Sequence, residues 1–184
     1  MKLSAIALGA MLSVSALVGV AYAENPMVGG AAMFEDKNII ENAVNSADHT
    51  TLVAAVQAAG LVETLSGPGP FTVLAPVNAA FDALPAGTVE NLLKPENKEM
   101  LSTILACHVI AAKALSTDIA KMAMDDGGTH VVDTVGGCKL SLKADGGKVT
   151  ITDENGTVAN VTIADVLQSN GVIHVIDAVL TPKM

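Results

Sequence analysis

From Gly127 onward the apolar pattern changes period, and that change limits what the chain can fold into more than any other feature. Five short runs, THVVDTV, CKLSLK, KVTIT, TVANV and VIHVIDAVL, are separated by GG, DGG, DENG and SNG. Runs rich in Val, Ile and Thr that alternate with polar residues make half-buried strands, and Gly, Asn and Asp between them make hairpins and loops. Before Gly127 the apolar residues mostly recur at helical spacing. DKNIIENAVNS predicts a helix through Ile39, Ile40 and Val44. TTLVAAVQAAG predicts a second, with Asp48 or Thr50 as cap, a stripe of Leu52, Val53, Val56 and Ala59, and Gly60 as its stop. LVETL, VNAAFDALP and AGTVENLLK are short helical stretches, and Pro95 suits the first turn of PENKEMLSTILACHV. STDIAKMAM predicts a helix capped by Ser116 or Thr117, and ADVLQSNG a single helical turn before the last strand. Only FTVLAP and the residues after Cys107 place strands early. Helices crowd the first half and strands the second, which gives an α+β arrangement in one domain without internal repeats.

The ends of the chain read differently from its middle. Lys2 is followed by an apolar, charge-free run that closes on Ala21-Tyr22-Ala23, so residues 1–23 read as a cleaved secretory signal peptide rather than an uncleaved anchor. Residues 24–36 are Gly- and Ala-rich and read as a flexible lead-in, leaving 37–184 as the folded domain. Cleavage would leave 184 − 23 = 161 residues, enough for a real core, and no later run is long and apolar enough to span a bilayer. The exported chain is expected to be secreted or periplasmic.

Charge and side-chain chemistry then exclude several function classes. Without Lys2, nine lysines face nineteen acidic residues, a net charge of 9 − 19 = −10. Such a surface repels nucleic acid and anionic lipid, and with no Arg it lacks bidentate phosphate capture. Beyond Tyr22 the only aromatic residues are Phe34, Phe71 and Phe81, so the core must be aliphatic and a sugar-stacking platform is missing. None of the four histidines, His49, His108, His130 and His174, forms HxxxH, HxH or HExxH, and there is no CxxC. Zinc assembled from Cys107, His108 and Cys138, or a soft metal on Met122, Met124 and His130, is a minor alternative to packing. No GxSxG or phosphate loop is present, and the acidic pairs Asp125-Asp126 and Asp153-Glu154 sit in turns, where carboxylates cap or solvate. Cys107 and Cys138 form an even pair in an exported chain, which favours a disulfide over two buried thiols. No catalytic residue, cofactor site or metal site is assigned.

The unexplained feature is a handful of polar groups among aliphatics: Asn78, His108, His174 and Asp177. His174 lies inside NGVIHVIDAVL, on one strand face with Val172 and Ile176. From the residues alone it is a ligand, a catalyst or a structural hydrogen-bonder.

Several segments together resemble one family. FTVLAPVNAAFDALP resembles the first signature of the fasciclin domain, and NGVIHVIDAVLTP its closing signature. ILACHVIAAKALS resembles its Tyr-His segment, with Cys107-His108 where the family carries Tyr-His. The likeness covers roughly residues 38–182. It implies a fasciclin-like fold, a two-sheet β-wedge flanked by several short helices. It also implies a non-enzymatic adhesion or surface-interaction module, binding a surface protein, extracellular matrix or polysaccharide. An envelope small-ligand or metal-binding protein is the alternative. By the resemblance, Cys107, His108, Asp165 and Val166 fall in the family's adhesion segments. Cys138 becomes the partner that ties down Cys107 where the family has a Tyr ring. Asn78, His108, His174 and Asp177 become structural anchors.

Overall fold

The computed structural model describes residues 25–183; the signal-peptide expectation for 1–23 lies outside them. The described chain begins with a hairpin, β1 (Met27–Val28) and β2 (Ala31–Ala32), turning on Gly29 and Gly30. Gly29 has φ +57°, and a Cβ there would come within 2.6 Å of the backbone nitrogen of Asp48. Only glycine suits that position. Val28 and Met33 are buried in the core. Of the segment expected as a flexible lead-in, 24–36, the described residues 25–36 are therefore docked. Its Gly and Ala content serves close packing, and apolar Val28 and Met33 supply the attachment.

Short helices follow. α1 (Ile39–Ala43) starts on Asn38, whose side chain accepts the Glu41 N–H at 2.9 Å while Glu41 accepts the Asn38 N–H at 2.9 Å. This reciprocal pair satisfies two of the first-turn donors. A 3-10 turn (Ala47–His49) leads into α2 (Thr50–Ala59), which ends on left-handed Gly60 at φ 75°. α3 (Val62–Ser66), β3 (Phe71–Pro76), α4 (Asn78–Asp82), α5 (Thr88–Leu92), α6 (Lys98–Ala106), β4 (Val109–Ile110) and α7 (Ser116–Asp125) complete the first half. The expected hydroxyl cap of α7 is not made. Leu115 holds the cap position and its N–H goes to Asp118 at 3.1 Å, because Ser116 is bonded elsewhere.

The second half is β5 (His130–Asp133), β6 (Lys139–Asp145), β7 (Lys148–Thr152), β8 (Val158–Gln168) and β9 (Gly171–Ile176). Seven strands run in the order β4-β3-β9-β8-β7-β6-β5, all neighbours antiparallel except β3 and β9, which pair in parallel. The two-sheet wedge takes the form of one hydrogen-bonded order divided within β8. Residues 158–160 of that strand pair with β7, residues 161–168 pair with β9, and two bulges lie between Val161 and Val166. Bulges bend a strand and raise its twist. The ADVLQ stretch, expected as a helical turn, is the far end of this strand. Val166, Leu167 and Gln168 pair with Ile173, Val172 and Gly171, and their burial alternates as a strand requires.

β3 and β9 are covered on both faces. Val73, Ala75, Ile173 and Val175 face a core built with α1 to α6. Leu74 and Ile176 face a second core with Ile119 of α7, Leu140, Leu142 and Ile151 of β6 and β7, and Leu180. A strand buried on both faces reads as a continuous apolar run. That is why FTVLAP and VIHVI carry no alternation, and why a polar residue inside them needs a partner.

Candidate functional site

His174 stands on the second-core side of β9, opposite Leu74 of β3, and is almost fully buried. The Asp165 N–H donates to its Nδ1 at 3.2 Å, so the proton sits on Nε2, which donates to the Ala114 carbonyl at 2.8 Å. The loop that carries Ala114 is held a second time by Thr72, whose hydroxyl donates to Ala112 O at 2.5 Å and accepts the Ala114 N–H at 2.9 Å. Asp165 is the one non-glycine residue with positive φ, 58°, among the described residues. Its carboxylate accepts the Ser116 N–H at 2.6 Å and the Ser116 hydroxyl. His174, Asp165, Ser116 and Ala114 thus close a ring of bonds that fixes the β8 bulge, the middle of β9 and the start of α7 to one another. Burial pushes the His174 pKa below its ordinary value, against the opposing pull of the Ala114 carbonyl and the Asp165 charge.

Two other histidines repeat the pattern. His108 donates from Nδ1 to Ile104 O at 2.8 Å and accepts the Leu180 N–H on Nε2 at 3.0 Å, joining the end of α6 to the C-terminal segment. Burial lowers its pKa to about 4. His49 accepts from the Ser46 hydroxyl on Nδ1 at 2.9 Å and donates from Nε2 to Ala75 O at 3.3 Å, joining the turn before α2 to β3. Its pKa is lowered too, again by burial. Each ring is held neutral in one tautomer, with one donor and one acceptor filled. A ring so engaged has no free nitrogen for a metal or a substrate proton.

The remaining sequence-chosen residues divide. Asn78 accepts the Thr51 N–H at 3.0 Å and the Thr50 hydroxyl at 3.2 Å, and donates to Ala47 O at 2.9 Å. It caps α2 from another helix, where Asp48 or Thr50 had been expected. Asp177 is exposed rather than lodged among aliphatics, and accepts the backbone and side-chain N–H groups of Asn160 at 2.7 and 2.8 Å. Cys107 and Cys138 are joined as a disulfide, with Cα atoms 5.4 Å apart. Cys107, His108 and Val166, placed in the contact surface by the resemblance, are buried at 0%, 2% and 0% exposure. Their side chains meet the core because α6 and the end of β8 turn them inward. They position the surface and do not form it.

Other anchors escaped the sequence reading. Asn42, fully buried, accepts the Phe34 N–H at 3.0 Å and donates to Phe34 O at 2.7 Å and to Gln168 Oε1. Asn170 accepts the Ile39 N–H at 3.0 Å and donates to Leu65 O and Gly67 O at 2.8 and 2.9 Å. Asp153, expected in a solvated turn, is buried. It accepts N–H groups of Asn155 and Thr157 at 2.9 and 2.8 Å, and the N–H and hydroxyl of Thr181 at 2.9 and 3.2 Å. Asn and Asp look alike in a sequence whether they cap a free turn or grip a distant segment. Nothing in the local sequence separates the two. Among the described residues no group of three His, Cys, Asp or Glu side chains is placed to hold a metal. His130 is paired instead with Asp126 at 2.5 Å, and Met124 of the Met122–Met124 pair is 72% exposed.

Residues 47–182 match the fasciclin domain family model. The chain belongs to the fasciclin family. This fasciclin domain is 45% identical over 161 residues to Protein sll1483 of Synechocystis sp., covering 88% of this chain and 82% of that protein. It is 38% identical to the pig transforming growth factor-beta-induced protein ig-h3 over 71% of this chain, spanning only 17% of that protein. It is 32% identical to immunogenic protein MPB70 of Mycobacterium bovis over 76% of this chain and 66% of that protein. A solved FAS1 domain pair from the insect cell adhesion molecule Fasciclin I shares the fold, with a TM-score of 0.67 and 19% identity over 80% of this chain and 51% of that one. The family is known from adhesion-related proteins, and the mixed α/β fold with one large sheet and several short helices agrees with it. No helix among the described residues is long and apolar enough to cross a membrane.

Proposed function

We infer that this fasciclin domain is an exported, non-enzymatic interaction module that binds a surface or envelope protein. The observation that carries the reading is the engagement of its reactive-type groups. The three buried histidines, the cysteine pair and Asp153 are each committed to an internal bond, so the interior holds the fold and leaves contact to the surface. The outer face of β5 to β8 is the best-formed surface for it. Val131, Ser141, Thr152 and Val158 lie in one cross-strand row, and Lys143, Thr150 and Asn160 in the next. Val131 and Val158 are 55% and 53% exposed at the two ends of the first row. Rows of polar residues, the first flanked by exposed valines, suit a protein surface. A polysaccharide partner is less suited, since Phe34 is the only well-exposed aromatic among the described residues.

Crosslinking in intact cells, comparing the natural chain with a Val131→Glu/Val158→Glu double variant, tests the reading. A partner captured by the natural chain and lost with the variant, at unchanged melting temperature, is the expected result. Equal capture by both chains counts against this face. A defined enzymatic turnover by the purified protein would overturn the module reading.

A further inference from the structure

The seven-strand order has two ends, and they are finished differently. At β4 the outer side of Val109 is covered, because its carbonyl accepts the Val135 N–H at 2.8 Å. At β5 no strand or turn among the described residues pairs with the outer side of His130–Asp133. The ladder shows which of its backbone groups are open. β5 and β6 pair antiparallel, with Val132 opposite Leu140 and His130 opposite Leu142, and the same register carries on to Thr134 and Cys138. The Thr134 N–H donates to Cys138 O at 2.9 Å, so theirs is a hydrogen-bonded pair. In an antiparallel ladder such pairs recur at every second residue, so Val132 and His130 also bond toward β6. Val131 and Asp133 therefore turn their N–H and C=O groups away from β6, as Val135 does when it reaches Val109. Among the described residues no protein group meets them. Side chains do not shield them either: Val131 is 55% exposed, and Thr129 and Asp133 are exposed. Edges are commonly blunted by Lys, Pro or a bulge, and THVVDTV, residues 129–135, has none of the three. Its one acidic residue, Asp133, is matched by Lys139 at 2.6 Å, so two such edges can meet without opposing bare carboxylates.

The strand also fits itself. A two-fold axis at Val131 sets Val131 against its own copy, and Thr129 against Asp133 of the second copy, a hydroxyl beside a carboxylate. Every outward group from Thr129 to Asp133 then has a partner. An axis at Asp133 would put like charges face to face and set Val131 against Val135, whose N–H is already taken. An axis at Val132 would set Thr129 against the same occupied Val135.

We propose that β5 is the pairing edge of a homodimer, in which two copies join antiparallel about Val131 and carry the outer face of β5 to β8 across the junction. The proposal stands apart from the identity of any surface partner, because it is read on the purified chain alone. Sedimentation from low micromolar to millimolar concentration should show the mass rise from one chain's to two chains'. Over the same range the amide NMR signals of Val131 and Asp133 should shift, while those of His130 and Val132, already bonded to β6, stay in place. Asp133→Pro removes an outward N–H that the single chain does not use, and should hold the mass at one chain's. It leaves Val131 and Val158 on the outer face, so loss of the dimer and loss of a surface partner can be told apart. Val131→Pro serves the same purpose should Asp133→Pro fail to fold, as judged by its melting temperature. Val131→Cys should oxidise to a crosslinked dimer by itself, whereas Thr129→Cys should do so only when mixed with Asp133→Cys. A chain that stays single at millimolar concentration would leave the edge to a foreign strand and overturn the proposal. So would a dimer whose amide shifts fall elsewhere, full dimerisation of a folded proline variant, or crosslinking of Thr129→Cys with itself.

Discussion

His174 shows how much one buried side chain can organise. Its two nitrogens reach two different elements, and Phe in its place would fill the space while leaving the Asp165 N–H and the Ala114 carbonyl without partners. An unsatisfied buried group costs about 1–3 kcal/mol, so His174→Phe should lose about 2–4 kcal/mol. At about 2–4 °C per kcal/mol for a chain of this size, the melting temperature should fall by roughly 5–15 °C. An unchanged melting temperature in a thermal melt would remove the structural role. His108 makes the acid response predictable. The unfolded chain takes up a proton near the ordinary histidine value of 6.5, whereas the folded chain does so only near 4. Between those values the unfolded state holds more protons, so stability falls as the pH falls. It is complete above about 6.5 and declines toward 4, by about 3 kcal/mol from His108 alone. The lowered His49 and His174 add to the same slope. Urea unfolding at pH 7.0, 5.5 and 4.5 should show the decline, and His174→Phe should show a shallower one. At this scale the sequence displayed His174 and His108 plainly, since a polar letter in an apolar run stands out. Asn42 and Asp153 were not legible, because an Asn in an amphipathic helix and an Asp in a turn-rich stretch both read as solvated, and their partners Gln168 and Thr181 are distant in the sequence.

Among the elements, the sharpest constraints sit where two segments touch without room for a side chain. A Cβ on Gly171, the first residue of β9, would run into the carbonyl of Phe71 at the start of β3. Gly171→Ala must therefore push two paired strands apart, and should cost about 3 kcal/mol or more in a denaturant titration. Gly30→Ala, at an open turn with φ +77°, meets no atom and should cost only about 1 kcal/mol, for its backbone conformation. The Cys107–Cys138 bond closes a separation of 31 residues, from the end of α6 to the start of β6. Loop-closure entropy gives about 3–4 kcal/mol for such a loop, so Cys107→Ser/Cys138→Ser should unfold at clearly lower denaturant. Intact-mass measurement should find the unreduced natural chain two hydrogens lighter than the reduced one. The helices and strands themselves were largely readable, because glycine stops and apolar periods are local, whereas the caps of α2 and α7 were not, since Asn78 and Asp165 take over those bonds from elsewhere in the chain. ADVLQ was not: its five residues suit a helix, and only pairing with β9 across the bulges makes them strand.

For the whole molecule, the consequence is a separation between what holds the fold and what faces outward. The residues that the family resemblance placed in contact regions lie mostly inside, and the outer sheet face carries Val131 and Val158 instead. The Val131→Glu/Val158→Glu double variant should therefore keep its melting temperature within about 2 °C, as exposed substitutions usually do. A large fall would mean the face is part of the core.

Sequence by itself determined the α+β order, the helix stops, the hairpin turns and the family, because each rests on neighbours within a few residues or on a run of letters read in order. The tertiary structure alone decided which polar residues became anchors, that residues 25–36 dock instead of trailing, and that β8 divides its pairing between β7 and β9. Those outcomes depend on burial and on partners up to 131 residues away, such as Ile39 and Asn170. A hydrogen bond's donor and acceptor must both lose water before their pairing matters, and only the packed chain fixes where water is excluded.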